Sequence, residues 1–71
     1  MVNDPRAVGE RIDALRRAKG WSKAELARRA KLNESDVSRI TRGMRLPYPS
    51  QLGRIAEALG ADLSALGVER D

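Results

Sequence analysis

Apolar residues in this chain recur at helical spacing, and most runs of that spacing are cut short by a glycine. Val8, Ile12 and Leu15 lie at i, i+4 and i+7, and Gly20 follows. Such spacing places side chains on one helical face, whereas a half-buried strand needs strict alternation. The pattern predicts five short helices and no strands. With 71 residues, the chain is long enough for one domain with a thin core.

Local signals set the expected boundaries. The first helix runs from about Pro5 to Lys19, with Asp4 as cap and Pro5 in the first turn. Ser22-Lys23-Ala24-Glu25 is a capping box that opens the second helix. Trp21 and Leu26 have the spacing of a hydrophobic staple across that cap. Lys31-Leu32-Asn33 connects to a third helix from Glu34 to about Arg42, capped by Asn33 and stopped by Gly43. Pro47 and Pro49 forbid a continuous helix through the loop that follows. A fourth helix runs from Pro49 or Ser50 to Leu59, and Asp62 caps a last short helix through Leu66. Residues 67 to 71 read as a frayed end.

Charge is distributed unevenly. Residues 16 to 45 hold ten basic side chains against three acids, a net of +7, while the rest of the chain holds four against seven, a net of −3. A clustered cationic segment is the footprint of a phosphate-binding surface; the bland alternative is a solvated helix face. The chain has neither cysteine nor histidine. Disulfides and Cys or His metal sites are therefore ruled out, as is Cys or His catalysis. Carboxylates are present, but none pair on an apolar cleft, and no glycine-rich phosphate loop occurs, so an enzyme is not expected. No cofactor or small-molecule ligand is expected either. No apolar run approaches the roughly 20 residues of a membrane span. No adjoining apolar stripe supports a membrane-surface helix. A cytoplasmic protein follows as the expectation.

Two short helices joined by a tight turn, in the basic part of a small domain, suggest a helix-turn-helix over about residues 22–42. Ala27 is small enough to let the two helices cross closely, and Leu26, Val37 and Ile40 lock the crossing. At 100° per residue, Ser35, Ser38, Arg39 and Arg42 fall opposite Val37 and Ile40, with Glu34 and Asp36 on the flanks. A helix with such a small, polar, cationic outer face fits the major groove, about 12 Å wide.

These residues carry a resemblance. Gly9 to Ile12, Leu15-Arg16, Lys19 to Ser22, Glu25 to Ala27, Val37 to Ile40, Gly43, Pro47 and Ile55 to Gly60 together resemble the Cro/repressor-type helix-turn-helix family. That family includes phage repressors, Cro proteins and many small bacterial regulators. The resemblance covers about residues 8 to 67 and implies a compact all-α, five-helix lambda-repressor-like domain, here a single domain over 1–71. It implies that the third helix reads DNA, with base contacts from Glu34, Ser35, Ser38 and Arg39. It implies phosphate contacts from Lys23, Arg42 and Arg45, with Arg28 and Tyr48 as further candidates. The chain departs from the family pattern at two informative places. Lys31 stands where a glycine is usual, so the turn either holds a strained lysine or has another shape. Thr41 stands where a glutamate usually pairs with the arginine at Arg16, which leaves Arg16 for DNA or solvent.

Each assignment has an ordinary alternative. Arg39 either reads a guanine edge or pairs with Asp36 at i, i+3. Glu34 either accepts from cytosine or simply favours the helix N-terminus. Ser35 and Ser38 either contact bases or face solvent, and Lys23, Arg28, Arg42 and Arg45 are otherwise solvated charge. Tyr48 either bonds a phosphate through its hydroxyl or covers its own loop. Trp21 reads as a core residue rather than a stacking platform, since one tryptophan and one tyrosine are too few for single-stranded nucleic acid. Leu63, Leu66 and Val68 either form a symmetric dimer patch or close the core. The expected function is a sequence-specific double-stranded DNA-binding regulator, a repressor or Cro-like protein acting by operator occupancy, with a homodimer as a possible form. The alternative is an antitoxin-type interaction module that also binds DNA.

Overall fold

The computed structural model describes residues 4–68. Four α-helices follow one another: α1 (Pro5–Ala18), α2 (Lys23–Ala30), α3 (Glu34–Thr41) and α4 (Pro49–Leu59). A 3-10 turn, Leu63–Leu66, closes the described chain, and no strand occurs among the described residues. The all-α expectation holds, but the fifth helix is a single 3-10 turn. Only four residues separate the Asp62 cap from Gly67, which takes the left-handed conformation. That is room for one i→i+3 turn, which suits a 3-10 geometry. Gly67 and Val68 are not frayed: their amides bond Ser64 and Leu63. The remainder of the expected frayed end, residues 69–71, lies outside the described residues.

The predicted caps account for most boundaries. The Asp4 carboxylate accepts the Arg6 amide at 3.1 Å, the Ser22 hydroxyl accepts that of Glu25 at 3.0 Å, and the Asn33 side chain accepts that of Asp36 at 2.8 Å. Each satisfies an amide that the first helical turn leaves without a partner. Tyr48 occupies the cap position of α4, where its amide donates to Gln51 Oε1 at 3.1 Å.

Ile12, Leu26, Ile40, Ile55 and Leu66 are fully buried at the centre, joined by Val8, Val37 and the small Ala27 and Ala30. Each large aliphatic side chain contributes about 1.5–3 kcal/mol by leaving water. Leu63 and Val68 are half-buried against this core, while Leu66 lies inside it. Gly9 lets α1 and α3 touch: a methyl group there would collide with the Ile40 carbonyl oxygen. α3 is thus fixed from below by α1 and from the side by α2. No described helix is long and apolar enough to cross a membrane.

Candidate nucleic-acid interface

The turn between α2 and α3 settles the first departure from the family pattern. Lys31 is left-handed, with φ 58° and ψ 44°, and is the one non-glycine residue with positive φ among those described. An L-residue there costs about 1–2 kcal/mol. The strain is offset locally: the Leu32 amide bonds the Ala27 carbonyl at 2.8 Å, and Leu32 packs against the core. Asn33 then caps α3, so two residues separate the end of one helix from the cap of the next.

α3 is sorted into two faces. Val37 and Ile40 are 1% exposed and hold the helix down. Ser35, Arg39 and Arg42 are exposed on the other side, Ser38 is half-buried beside them, and Glu34 is exposed on the flank. The Ser35 hydroxyl donates to the capping Asn33 oxygen at 2.8 Å. Arg39 lies at the limit of hydrogen-bond reach from Asp36, 3.5 Å, with 54% of its side chain exposed. Thr41 places its hydroxyl within reach of the Val37 and Ser38 carbonyls, 2.9 and 3.2 Å away, so it serves its own helix.

The cations around α3 fall into two groups. Lys23, half-buried in the first turn of α2, and Arg42, exposed just past α3, make no ion pair among the described residues. Arg28 bonds Glu25 one turn before it, as does Arg29. Arg45 pairs with Asp36 at 3.2 Å, donates to the Leu46 carbonyl at 2.9 Å and lies over the Tyr48 ring at 4.5 Å. Tyr48 is itself 60% exposed beside the loop. The two bonds from Arg28 and Arg29 hold the Glu25 carboxyl below its ordinary value, the Arg28 bond contributing most.

Arg16 corrects the second expectation. It faces neither solvent nor a DNA surface; its side chain is 12% exposed. It takes Asp13 with two nitrogens, at 3.0 and 2.8 Å, and donates to the Trp21 carbonyl. The arginine thereby ties the end of α1 to the start of α2 without a partner at position 41. Trp21 packs on the core, with the Arg29 guanidinium 4.4 Å from its ring centroid and Lys19 at 5.3 Å. The ring is covered by cations and offers no stacking platform.

Gln51 went unnoticed in the sequence. It is the one buried polar residue of the described chain, 8% exposed, and its amide reaches Asp36 fifteen positions earlier at 3.2 Å. The only sequence signal was its place three residues after a helix cap.

A family model for a helix-turn-helix domain matches residues 7–70. The chain belongs to that family. It is a Cro/repressor-type helix-turn-helix protein, as the sequence motifs implied, and the family is one of DNA-binding transcriptional regulators. Among solved structures it is similar to the restriction-modification controller protein C.AhdI from Aeromonas hydrophila, with 32% identity, a TM-score of 0.84, and coverage of 92% of this chain and 98% of that one. A hypothetical transcription factor, NHTF from Neisseria, is 29% identical, with a TM-score of 0.84 over 92% of this chain and 75% of that one. The clp gene regulator ClgR from Corynebacterium glutamicum is 26% identical, with a TM-score of 0.81 over 87% of this chain and 66% of that one. No curated protein matches. α2 and α3, joined by their two-residue turn, lie inside the matched span, where the sequence places the motif at about residues 22–42.

Proposed function

We propose that this helix-turn-helix protein recognises a specific double-stranded DNA sequence by laying α3 in the major groove, and that it represses transcription by occupying that site as a repressor or Cro protein does. One observation carries the reading: Val37 and Ile40 are sealed in the core while Ser35, Arg39 and Arg42 stand exposed on the opposite side of the same helix, with Glu34 exposed on its flank. Similarity to a restriction-modification controller protein and a clp gene regulator supports a regulatory role.

In this reading Arg39 donates to guanine O6 and N7, and Ser35, Ser38 and Glu34 contact neighbouring base edges. Lys23 meets a phosphate beside the free amides at the start of α2, and Arg42 and the Tyr48 hydroxyl meet the backbone on the far side of α3. Arg28, exposed, and Arg45, half-buried, each pair with a carboxylate of the protein itself, so this reading gives the phosphate contacts first to Lys23 and Arg42. A homodimer places two copies of α3 on half-sites about 34 Å apart. Selection from a random duplex pool at physiological salt tests the whole proposal. The expected result is one enriched sequence, a palindrome if two copies bind; a pool that stays random ends it.

A further inference from the structure

Arg45 and Gln51 form a closed ring with Asp36. Arg45 Nη2 lies 3.2 Å from Asp36 Oδ1. Arg45 Nη1 donates to Gln51 Oε1 at 3.1 Å, and Gln51 Nε2 donates to Asp36 Oδ2 at 3.2 Å. The ring joins the reading helix to the loop after it and to the first turn of α4. Gln51 Oε1 also accepts the Tyr48 amide at 3.1 Å. Both ends of its buried amide are therefore occupied, which a buried polar side chain requires.

The ring determines what is left for Arg39. Asp36 sits on the flank of α3, one turn before Arg39, where an i, i+3 carboxylate ordinarily captures an arginine. A free carboxylate there would also repel approaching phosphates. Here one oxygen is taken by Gln51 and the other by Arg45, whose side chain is only 25% exposed. A shielded pair of this kind is screened less than one in open water. Arg39 is left with the outer edge of Oδ1 at 3.5 Å, a distance at which a hydrogen bond is weak. It is aimed by Asp36 and scarcely held by it.

We propose that Arg45 and Gln51 are positioning residues for base recognition: they occupy Asp36 so that Arg39 is free to reach a guanine. The inference rests on the reading of α3 as the DNA-reading helix. It gives Arg45 a role opposite to that of a phosphate contact, and the two roles differ in what they do to sequence preference and to salt dependence.

The test compares wild type with Arg45→Met, Asp36→Asn/Arg45→Met and Gln51→Leu. Each binds the selected duplex and a duplex changed at the base pair that Arg39→Ala relaxes, across a salt series. In Arg45→Met the Oδ1 of the carboxylate has only Arg39 left, and discrimination at that base pair falls roughly tenfold. The salt slope stays as in wild type, because no phosphate contact is lost. Removing the carboxylate in the double variant restores most of the discrimination, an effect with no counterpart in a phosphate contact. Gln51→Leu lowers discrimination in the same direction by a smaller factor. If Arg45→Met fails to melt cooperatively, Arg45→Lys replaces it: charge is kept, the two-pronged grip is lost, and discrimination falls while the salt slope holds.

Uniform weakening of both duplexes, a salt slope reduced by about one unit and no rescue by Asp36→Asn would make Arg45 a phosphate contact and overturn the proposal. Unchanged discrimination in Gln51→Leu or Arg45→Lys would overturn it too. A wild type that selects no sequence removes the DNA-reading proposal, and this one with it. A wild type that selects a site, followed by either of the other failures, removes this one alone.

Discussion

Glu25 on α2 and Asp36 on α3 occupy the same place in their helices, three residues after the cap, with similar side-chain exposures of 28% and 23%. Each has two arginines around it. Glu25 draws both from its own helix, Arg28 at i+3 and Arg29 at i+4. Asp36 draws Arg39 from its own helix and Arg45 from the loop, and Gln51 adds a third contact from α4. The α2 cluster closes on itself and leaves its cations occupied. The α3 cluster is closed by other parts of the chain, and the arginine on its own helix is the one left loose. α2, with three basic residues against one acid, holds both its arginines, while α3, with one against two, leaves its single arginine loose; tertiary contacts, not composition, make that difference.

The comparison breaks most completely if α3 is released from its floor. Ile40→Ala removes a side chain that is 1% exposed at the crossing of α1, α2 and α3. Such a truncation costs about 2–5 kcal/mol. In a domain this small that is a large part of the total stability. A sharply lowered melting temperature by circular dichroism is the expected outcome. A variant that melts with wild type would mean that Ile40 does not decide which face of α3 turns outward.

The next effect separates the two clusters by function. Arg39→Ala should cost about 1–3 kcal/mol of discrimination at one base pair. Arg28→Ala, on the self-contained α2 cluster, should leave every base preference unchanged. Binding to a panel of single-base variants of the selected duplex reads both. If Arg28→Ala alters preference as Arg39→Ala does, the two clusters are not distinct in role. A smaller and uniform effect is expected from Lys23→Ala, outside both clusters. It should weaken all duplexes alike and lower the slope of log affinity against log salt by about one unit. A sequence-dependent loss would place Lys23 among the base readers instead.

What the sequence made legible follows the range of each interaction. Asp4, Ser22, Asn33 and Asp62 cap amides two or three residues away, so their roles are visible in the local string. Val37 and Ile40 declared themselves by helical period. The Asp13–Arg16 bond, also at i, i+3, was within reach of the same reasoning but was hidden by the expectation of a partner at position 41. Lys31 could be narrowed to two alternatives, and only the backbone distinguishes them. Gln51 was beyond reach. A polar residue after a proline loop reads as surface, and its burial depends on how that loop folds back over α3. The last short helix is legible in place and not in type: the Asp62 cap and Gly67 bound four residues, and the sequence signals do not tell a 3-10 turn from an α-helical one.

The smallest expected effect concerns protons. Glu25 has its carboxyl lowered by the Arg28 bond first and the Arg29 bond second, contacts that the unfolded chain lacks. A carboxyl with a lower folded than unfolded value stabilises the fold above the unfolded value, and loses that contribution as pH falls through the folded one. Glu25→Gln removes the titrating group while keeping an oxygen at the end of the same stem. The stability difference between wild type and this variant should therefore be largest near neutral pH and shrink through the acid range below the usual carboxylate value. Asp62 is lowered as well, by the Ser64 hydroxyl and then the Ala65 amide, but it is present in both proteins and cancels in the difference. Because the Glu25 cluster lies in water, added salt should also shrink the difference. Melting curves across pH at two salt concentrations measure both. A difference that persisted unchanged into acid would show that Glu25 acts through its packing and not its charge, and the likeness between the two carboxylates would end there.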